Sequence, residues 1–177
     1  VKDRPEASTL LTRYKELRQK IFDWSTDFIR KEDAAKREYP RPVLSIAPYD
    51  LAACREFLDK IPPEFSRYLR GAVAYYQNDC DQAIEQFSAL LSLPADQRKY
   101  RSTWAAFMLG RTWLKKDPAQ AIPYFEQTRD LVKNGFPDPL NLVAESIGWQ
   151  ARAEGEAKNF VAAFQHYTEY AKGQVRP

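Results

Sequence analysis

The sequence predicts an all-α protein: about three helical hairpins stacked as an α-α superhelix, with a long N-terminal helix packed on or capping the stack. Three observations predict it. Apolar residues recur at spacings of three and four over most of the chain, which is the helical period. Six glycines in 177 residues are too few for a fold of tight β-turns. A hydrophobic content of 44% with 14% aromatics supplies one ordinary domain, or a short repeat array, with a sizeable core.

In chain order, Ser8 to Arg37 holds no Pro or Gly, and Leu10, Tyr14, Leu17, Ile21, Trp24 and Phe28 alternate at spacings of 4 and 3. Such a stripe marks one long helix. It stops at Lys31, short of a full third heptad, so it predicts a helix laid on the rest of the chain in preference to a self-associating coiled coil. The charged run KEDAAKRE that ends it reads as a solvated face. Tyr39 to Tyr49 carries Pro40, Pro42 and Pro48, which exclude a continuous helix and predict a linker or extended arm. Its Val43, Leu44 and Ile46 predict packing along the surface. Asp50 then offers a cap to a short helix, Leu51 to Lys60, which Pro62 and Pro63 end. Residues 1–63 thus read as an N-terminal part, and 64–177 as a single compact unit of helical repeats.

The first hairpin runs from a helix at Glu64 to Gln77, through a turn at Asn78 to Asp81, to a return helix at Gln82 to Ser92. The second centres on Leu109 to Glu126. There Asp117 is an N-cap carboxylate for the next helix and Pro118 suits its first position. Pro123 predicts a bend or a late start of that second helix. A third pair follows Pro139, with a long inner turn around Gly155 to Asn159. Two short amphipathic helices enclose too little alone, so each pair must bury its face against neighbours.

The markers Gly71 with Ala83 and Phe87, Gly110 with Ala121 and Phe125, and Gly148 with Ala163 and Tyr167 give the chain its family likeness. Residues 64 to 173 resemble tetratricopeptide repeats, in an irregular form similar to repeat regions of large bacterial proteins of unassigned function. Within that resemblance the small residues let helices approach and the aromatic fills the gap. The period is long: Gly71 to Gly110 is 39 residues and Gly110 to Gly148 is 38, against about 34 in the standard motif. The surplus falls in the connections Leu93 to Arg101 and Lys133 to Pro139. Aligning the first repeat on Gly71 would place Arg67 and Arg70 inside, which predicts an apolar face turned by about one residue.

The resemblance implies that the first helix of each pair lines a concave groove. On that face lie Tyr68, Tyr75 and Tyr76, then Trp104, Phe107, Arg111 and Lys115, then Leu142, Glu145, Trp149 and Arg152. Tyr68, Tyr75, Phe107, Arg111, Lys115, Trp149 and Arg152 are the binding candidates. Rings with arginines between them hold a peptide through apolar area, cation-π contact and paired carboxylate bonds. The competing reading makes each ring core and each cation a snorkelling surface residue. The family's clamp for chaperone carboxylate tails is not reproduced, since Tyr68 and Ala72 stand where it needs Lys and Asn.

The implied function is therefore a non-catalytic protein- or peptide-binding scaffold. The alternative is an accessory or substrate-holding domain of a larger enzyme or complex of the bacterial cell envelope. A protein or peptide partner, no cofactor, no nucleic acid, no membrane insertion and a monomer in preference to a homodimer are expected. Lys+Arg 27 against Asp+Glu 24 gives a net charge of +3, too balanced for nucleic-acid binding by bulk charge, and the basic segment Arg98 to Arg101 reads as a solvated connection. His166 is the single histidine, with no partner carboxylate indicated, while Asp79, Asp81, Glu154 and Glu156 read as capping or solvated turn residues. No phosphate loop, nucleophile elbow or metal-binding spacing occurs, so neither a catalytic nor a metal site is expected. Cys54 and Cys80 read as two unpaired thiols. No run of 18 apolar residues exists to span a membrane. A start at Val1 is what removal of an N-terminal segment would leave, so exported, periplasmic and cytoplasmic locations are all compatible with the chain.

Overall fold

The computed structural model describes residues 4–35 and 47–174. They form eight α-helices and two short 3₁₀ turns, with no strand among the described residues. The helices are α1 (Arg4–Ala35), α2 (Arg55–Lys60), α3 (Pro63–Tyr76), α4 (Cys80–Leu91), α5 (Ser102–Lys116), α6 (Pro118–Lys133), α7 (Leu142–Glu156) and α8 (Phe160–Gln174). The expected packing of Val43, Leu44 and Ile46 lies outside the described residues.

From α2 onward, sequential neighbours pair. α3 packs on α4, α5 on α6 and α7 on α8, while α4 meets α5 and α6 meets α7, so three hairpins stack in chain order. The first helices also touch directly, α3 with α5 and α5 with α7. One apolar cluster fills the hairpins, with Phe87, Leu90, Leu109 and Phe125 fully buried in it. A second joins Leu17 and Ile21 of α1 to Phe57, Leu58 and Ile61 around α2 and to Leu69 and Val73 of α3. The apolar stripe of α1 thus packs on its own chain through Leu10, Tyr14, Leu17 and Ile21. Trp24 extends that seam, its ring 5.5 Å from Tyr49 and its indole N–H donating to the Ala47 carbonyl at 3.2 Å.

Local signals set the helix ends. Asp50 Oδ1 accepts from the Ala52 amide at 2.8 Å, but it starts a 3₁₀ turn (Ala52–Cys54) that leads into α2 rather than one helix from Leu51. Pro63 begins α3 at its first position, where the missing amide costs nothing, so the Pro pair both ends one helix and opens the next. Asp79 caps α4 by accepting from Gln82, and Asp117 caps α6 by accepting from Ala119, each at 3.1 Å. α6 runs from Pro118 without the expected late start. Pro123 and Ala119 are both exposed, so water replaces the amide that the Ala119 carbonyl loses.

The first hairpin is in the same register as the second, which corrects the expected one-residue turn of its face. A Cβ built on Gly71 would stand 2.7 Å from the Phe87 ring, and one built on Gly110 the same 2.7 Å from Phe125. Arg67 stays half-buried beside that contact, and Arg70 reaches Asp59 at 3.1 Å. The third hairpin differs from expectation twice. Its inner turn is only Ala157 to Asn159, because Ala157, Lys158 and Asn159 donate to Ala153, Gly155 and Glu154 just as Gln77, Asn78 and Asp79 donate to Val73, Tyr75 and Ala74. Counting back from that shared turn puts the fully buried Ala151, not Gly148, in the place of Gly71. Gly148 instead faces Tyr170 at 3.3 Å, and Tyr167 is 49% exposed. The small residue and its ring in this pair therefore do not pair as Gly148 and Tyr167.

Candidate functional site

The connection before α5 places the first cation. Glu64, buried in the first turn of α3, accepts from the backbone amides of Tyr100 and Arg101 through Oε1, and so fixes the start of α5. Burial pushes its carboxyl above the ordinary value, while those amides and the Arg101 and Arg98 charges pull it down. Arg98 is occupied with its own connection, donating to the Leu93 carbonyl and to Ser102 Oγ, each at 2.9 Å, and lying 5.0 Å over Phe136. Arg101 turns inward and is only 7% exposed. The basic segment is therefore a structured joint, not a solvated loop, because two of its three cations are turned onto the protein.

Arg101 reaches the first candidate ring. Its guanidinium sits 4.2 Å from the Trp104 ring centre and 5.2 Å from that of Tyr68, and its Nη2 donates to Tyr14 Oη at 3.0 Å. Tyr68 is tilted against Trp104 at 5.9 Å and Phe87 at 6.0 Å. Burial pushes its phenol up to about 12, against the pull of Arg101. Phe107 is buried against Phe125 at 6.0 Å and keeps an edge toward the cavity beside Tyr68.

Arg111 links the three hairpins. Its guanidinium lies 5.4 Å from the Tyr75 ring centre on α3 and 4.5 Å from that of Trp149 on α7. Lys115, one turn on, sits 3.8 Å over the same Tyr75 ring and donates to the Tyr75 carbonyl at 3.2 Å, while Arg152 lies 5.5 Å from Trp149. Tyr75, Arg111, Lys115, Trp149 and Arg152 therefore form one continuous cation-aromatic ladder across α3, α5 and α7. Tyr75 is itself buried and presents mainly the two cations above it. Tyr68 and Phe107 belong to a neighbouring cavity of 340 Å³, which Arg111 also lines. A shallower 340 Å³ recess continues the ladder between Trp149, Arg152, Glu145 and Tyr170.

Two features were not readable beforehand. The first is α1 as a wall: Arg18, Ile21 and Phe22 close one side of the Tyr68 cavity, a contact between elements far apart in sequence. The second is a buried polar chain. Arg129 donates to Gln150 Oε1 at 2.5 Å and to Ser146 Oγ at 3.2 Å, Gln150 donates to Glu154 at 3.0 Å, and Glu154 meets His166 Nδ1 at 2.7 Å. Glu154 is buried within α7, not a solvated turn residue, and it supplies the carboxylate partner for His166 that the sequence did not reveal. The i,i+4 spacing of Gln150 and Glu154 was the available signal. This chain ties α6, α7 and α8 together; no hydroxyl or thiol is hydrogen-bonded to the imidazole among the described residues.

Among the described residues no group of three or more His, Cys, Asp or Glu is arranged to hold a metal ion, and no helix is long and apolar enough to cross a membrane. Cys54 and Cys80 are free and partly buried. No family model, curated protein or solved structure matches the chain.

Proposed function

We propose that the chain is a tetratricopeptide-like superhelix that holds a protein or peptide segment, without catalysis or cofactor, on the face formed by α3, α5 and α7. The observation that carries this reading is the ladder through Arg111, which places arginine and aromatic side chains from three successive hairpins on one continuous surface. The repeated turn geometry and the identical Gly71–Phe87 and Gly110–Phe125 contacts support the repeat assignment. Chemistry selects the partner. Guanidinium groups beside ring faces favour a segment in which an acidic residue neighbours an aromatic or aliphatic one. The test is selection of random peptides on the immobilised chain. An acidic-apolar consensus that Arg111→Glu and Trp149→Ala each weaken, with helicity unchanged, supports the reading; no consensus, or one that both variants retain, defeats it.

An accessory role within a larger assembly is the second reading, favoured by α8. Phe160, Val161, Phe164 and Tyr167 form an exposed apolar stripe on it. Counted from the turn that the first and third hairpins share, Phe164 occupies the place of Ile84, and Ile122 likewise follows a buried alanine, yet those two are half-buried on helices that have a following hairpin, while Phe164 is 73% exposed. Phe164→Lys in the native host then disrupts a complex seen by native electrophoresis; an unchanged complex argues against this role.

A further inference from the structure

The cavity between α1 and the first helices has a chemistry of its own and shares only Arg111 with the open ladder. Its walls are largely apolar, with Ile21, Leu69, Met108 and Leu142 among them, and three arginines line it: Arg18, Arg101 and Arg111. No Asp or Glu does. Its volume of 340 Å³ falls in the lower range of small-molecule sites, about 300 to 1,000 Å³.

Arg101 is the anomaly. It is more than nine-tenths buried, and among the described residues its Nε has no hydrogen-bond partner and its side chain donates to the neutral Tyr14 hydroxyl alone. Glu64 feels the Arg101 charge, but its Oε1 is engaged by the backbone amides of Tyr100 and Arg101. Arg111 also keeps a buried Nε without a partner among the described residues. A cation removed from water is costly unless an anion or several acceptors compensate it. Here the rings of Trp104 and Tyr68 supply only part of that compensation.

We propose that this cavity binds a small amphipathic organic anion, a carboxylate with an unbranched apolar body. Its head is held by Arg101, whose Nε lacks a partner among the described residues. Its body lies along Ile21, Met108 and Leu142, and Phe22 of α1 covers the mouth. Two features argue against a peptide as the occupant here: α1 closes one side, and the charge sits behind apolar walls instead of along an open track. The proposal does not rest on the peptide-binding reading, since Arg101 and α1 take no part in the ladder.

The probe is decanoate, titrated into the full chain by calorimetry, with decanol as the uncharged body and acetate as the bare head. Decanoate is expected to bind below about 1 mM, with decanol at least about tenfold weaker and acetate undetected. Arg101→Met, which keeps the apolar stem and removes the charge, is expected to lose at least about tenfold for decanoate and little for decanol. Ala72→Phe, which fills the cavity from α3, is expected to abolish binding of both with helicity retained. Decanol binding as tightly as decanoate to the wild-type chain overturns the proposal without reference to any variant. So does undetectable decanoate binding, or unchanged decanoate affinity in a folded Arg101→Met. Decyl phosphate in place of decanoate distinguishes a carboxylate from a phosphate head; a phosphate preference of tenfold or more would overturn the carboxylate assignment. Peptide selection by the Arg101→Met chain should be unaltered, so the two readings fail independently.

Discussion

Replacing Gly110 by Ala places a methyl carbon 2.7 Å from Cε1 of Phe125, and 2.9 Å from two further ring atoms, where ordinary contacts begin at 3.4 Å. The ring cannot swing into water, because Phe125 is fully buried in the hairpin core. Relieving the clash therefore needs α5 and α6 to separate or Phe125 to leave its rotamer, at a cost of about 1 to 3 kcal/mol. Alanine returns roughly 1 kcal/mol of helix propensity at the same position. The net expectation is a loss of about 1 kcal/mol, with a similar loss for Gly71→Ala, whose Cβ would meet Phe87 at the same 2.7 Å. Gly155 is the internal control. A Cβ there meets only Ala163 at 3.9 Å, so Gly155→Ala should gain about 0.5 to 1 kcal/mol. Urea unfolding of the full chain, fitted for midpoint and slope, reads the series directly. Phe125→Leu in the Gly110→Ala background should show coupling of the order of 1 kcal/mol rather than additivity. The reasoning is refuted if Gly110→Ala stabilises as much as Gly155→Ala, or if the Gly110 and Phe125 effects simply add.

Three further outcomes follow from the same contacts. Glu64 has a folded pKa above its unfolded value of 4.5, so its contribution to stability is present below that value and is lost as pH rises through the folded one. Wild type should therefore lose stability relative to Glu64→Gln as pH rises from 4.5 toward neutrality in urea titrations; a relative gain would contradict the burial of this carboxyl. Tyr68, pushed up to about 12 from 10.0, contributes stability below 10.0 that is lost as pH rises toward 12. Ultraviolet titration should show one tyrosine ionising late, absent in Tyr68→Phe, and an unchanged curve would place Tyr68 in water. Asp117→Ala removes the carboxylate that accepts from Ala119 and should cost about 1 kcal/mol in the same unfolding assay, against no loss if the cap is idle.

The helices were legible because their signals are local. Spacing, caps and prolines at Asp79, Asp117, Pro63 and Pro118 act within one turn, and the structure uses each of them. That α1 lies on its own chain was also legible, from its short apolar stripe, but the helix it meets was not. What escaped reading depends on contacts distant in sequence. Gly148 appeared to match Gly110 by its place in the chain, yet the register of the third hairpin is fixed by the Ala157–Asn159 turn, which sequence spacing alone obscured. Arg98 and Arg101 looked like solvent-facing cations in a basic loop; Glu64, 36 and 37 residues before Tyr100 and Arg101, holds that loop and turns Arg101 inward. Of the seven candidate residues, Arg111 and Trp149 meet where the helical face predicts, whereas the burial of Tyr75 and Phe107 follows from neighbouring hairpins that no single helix specifies.

The face of α3, α5 and α7 is tested most directly by site-specific photo-crosslinking. A photoreactive amino acid replaces Trp149 on the ladder in one protein and Gln127, exposed on α6, in another. Each is irradiated with peptides carrying the selected acidic-apolar sequence. Adducts at position 149 that free peptide competes away, and none at 127, are the predicted result. Adducts at 127 equal to or exceeding those at 149 would contradict it and move the binding surface to the second helices.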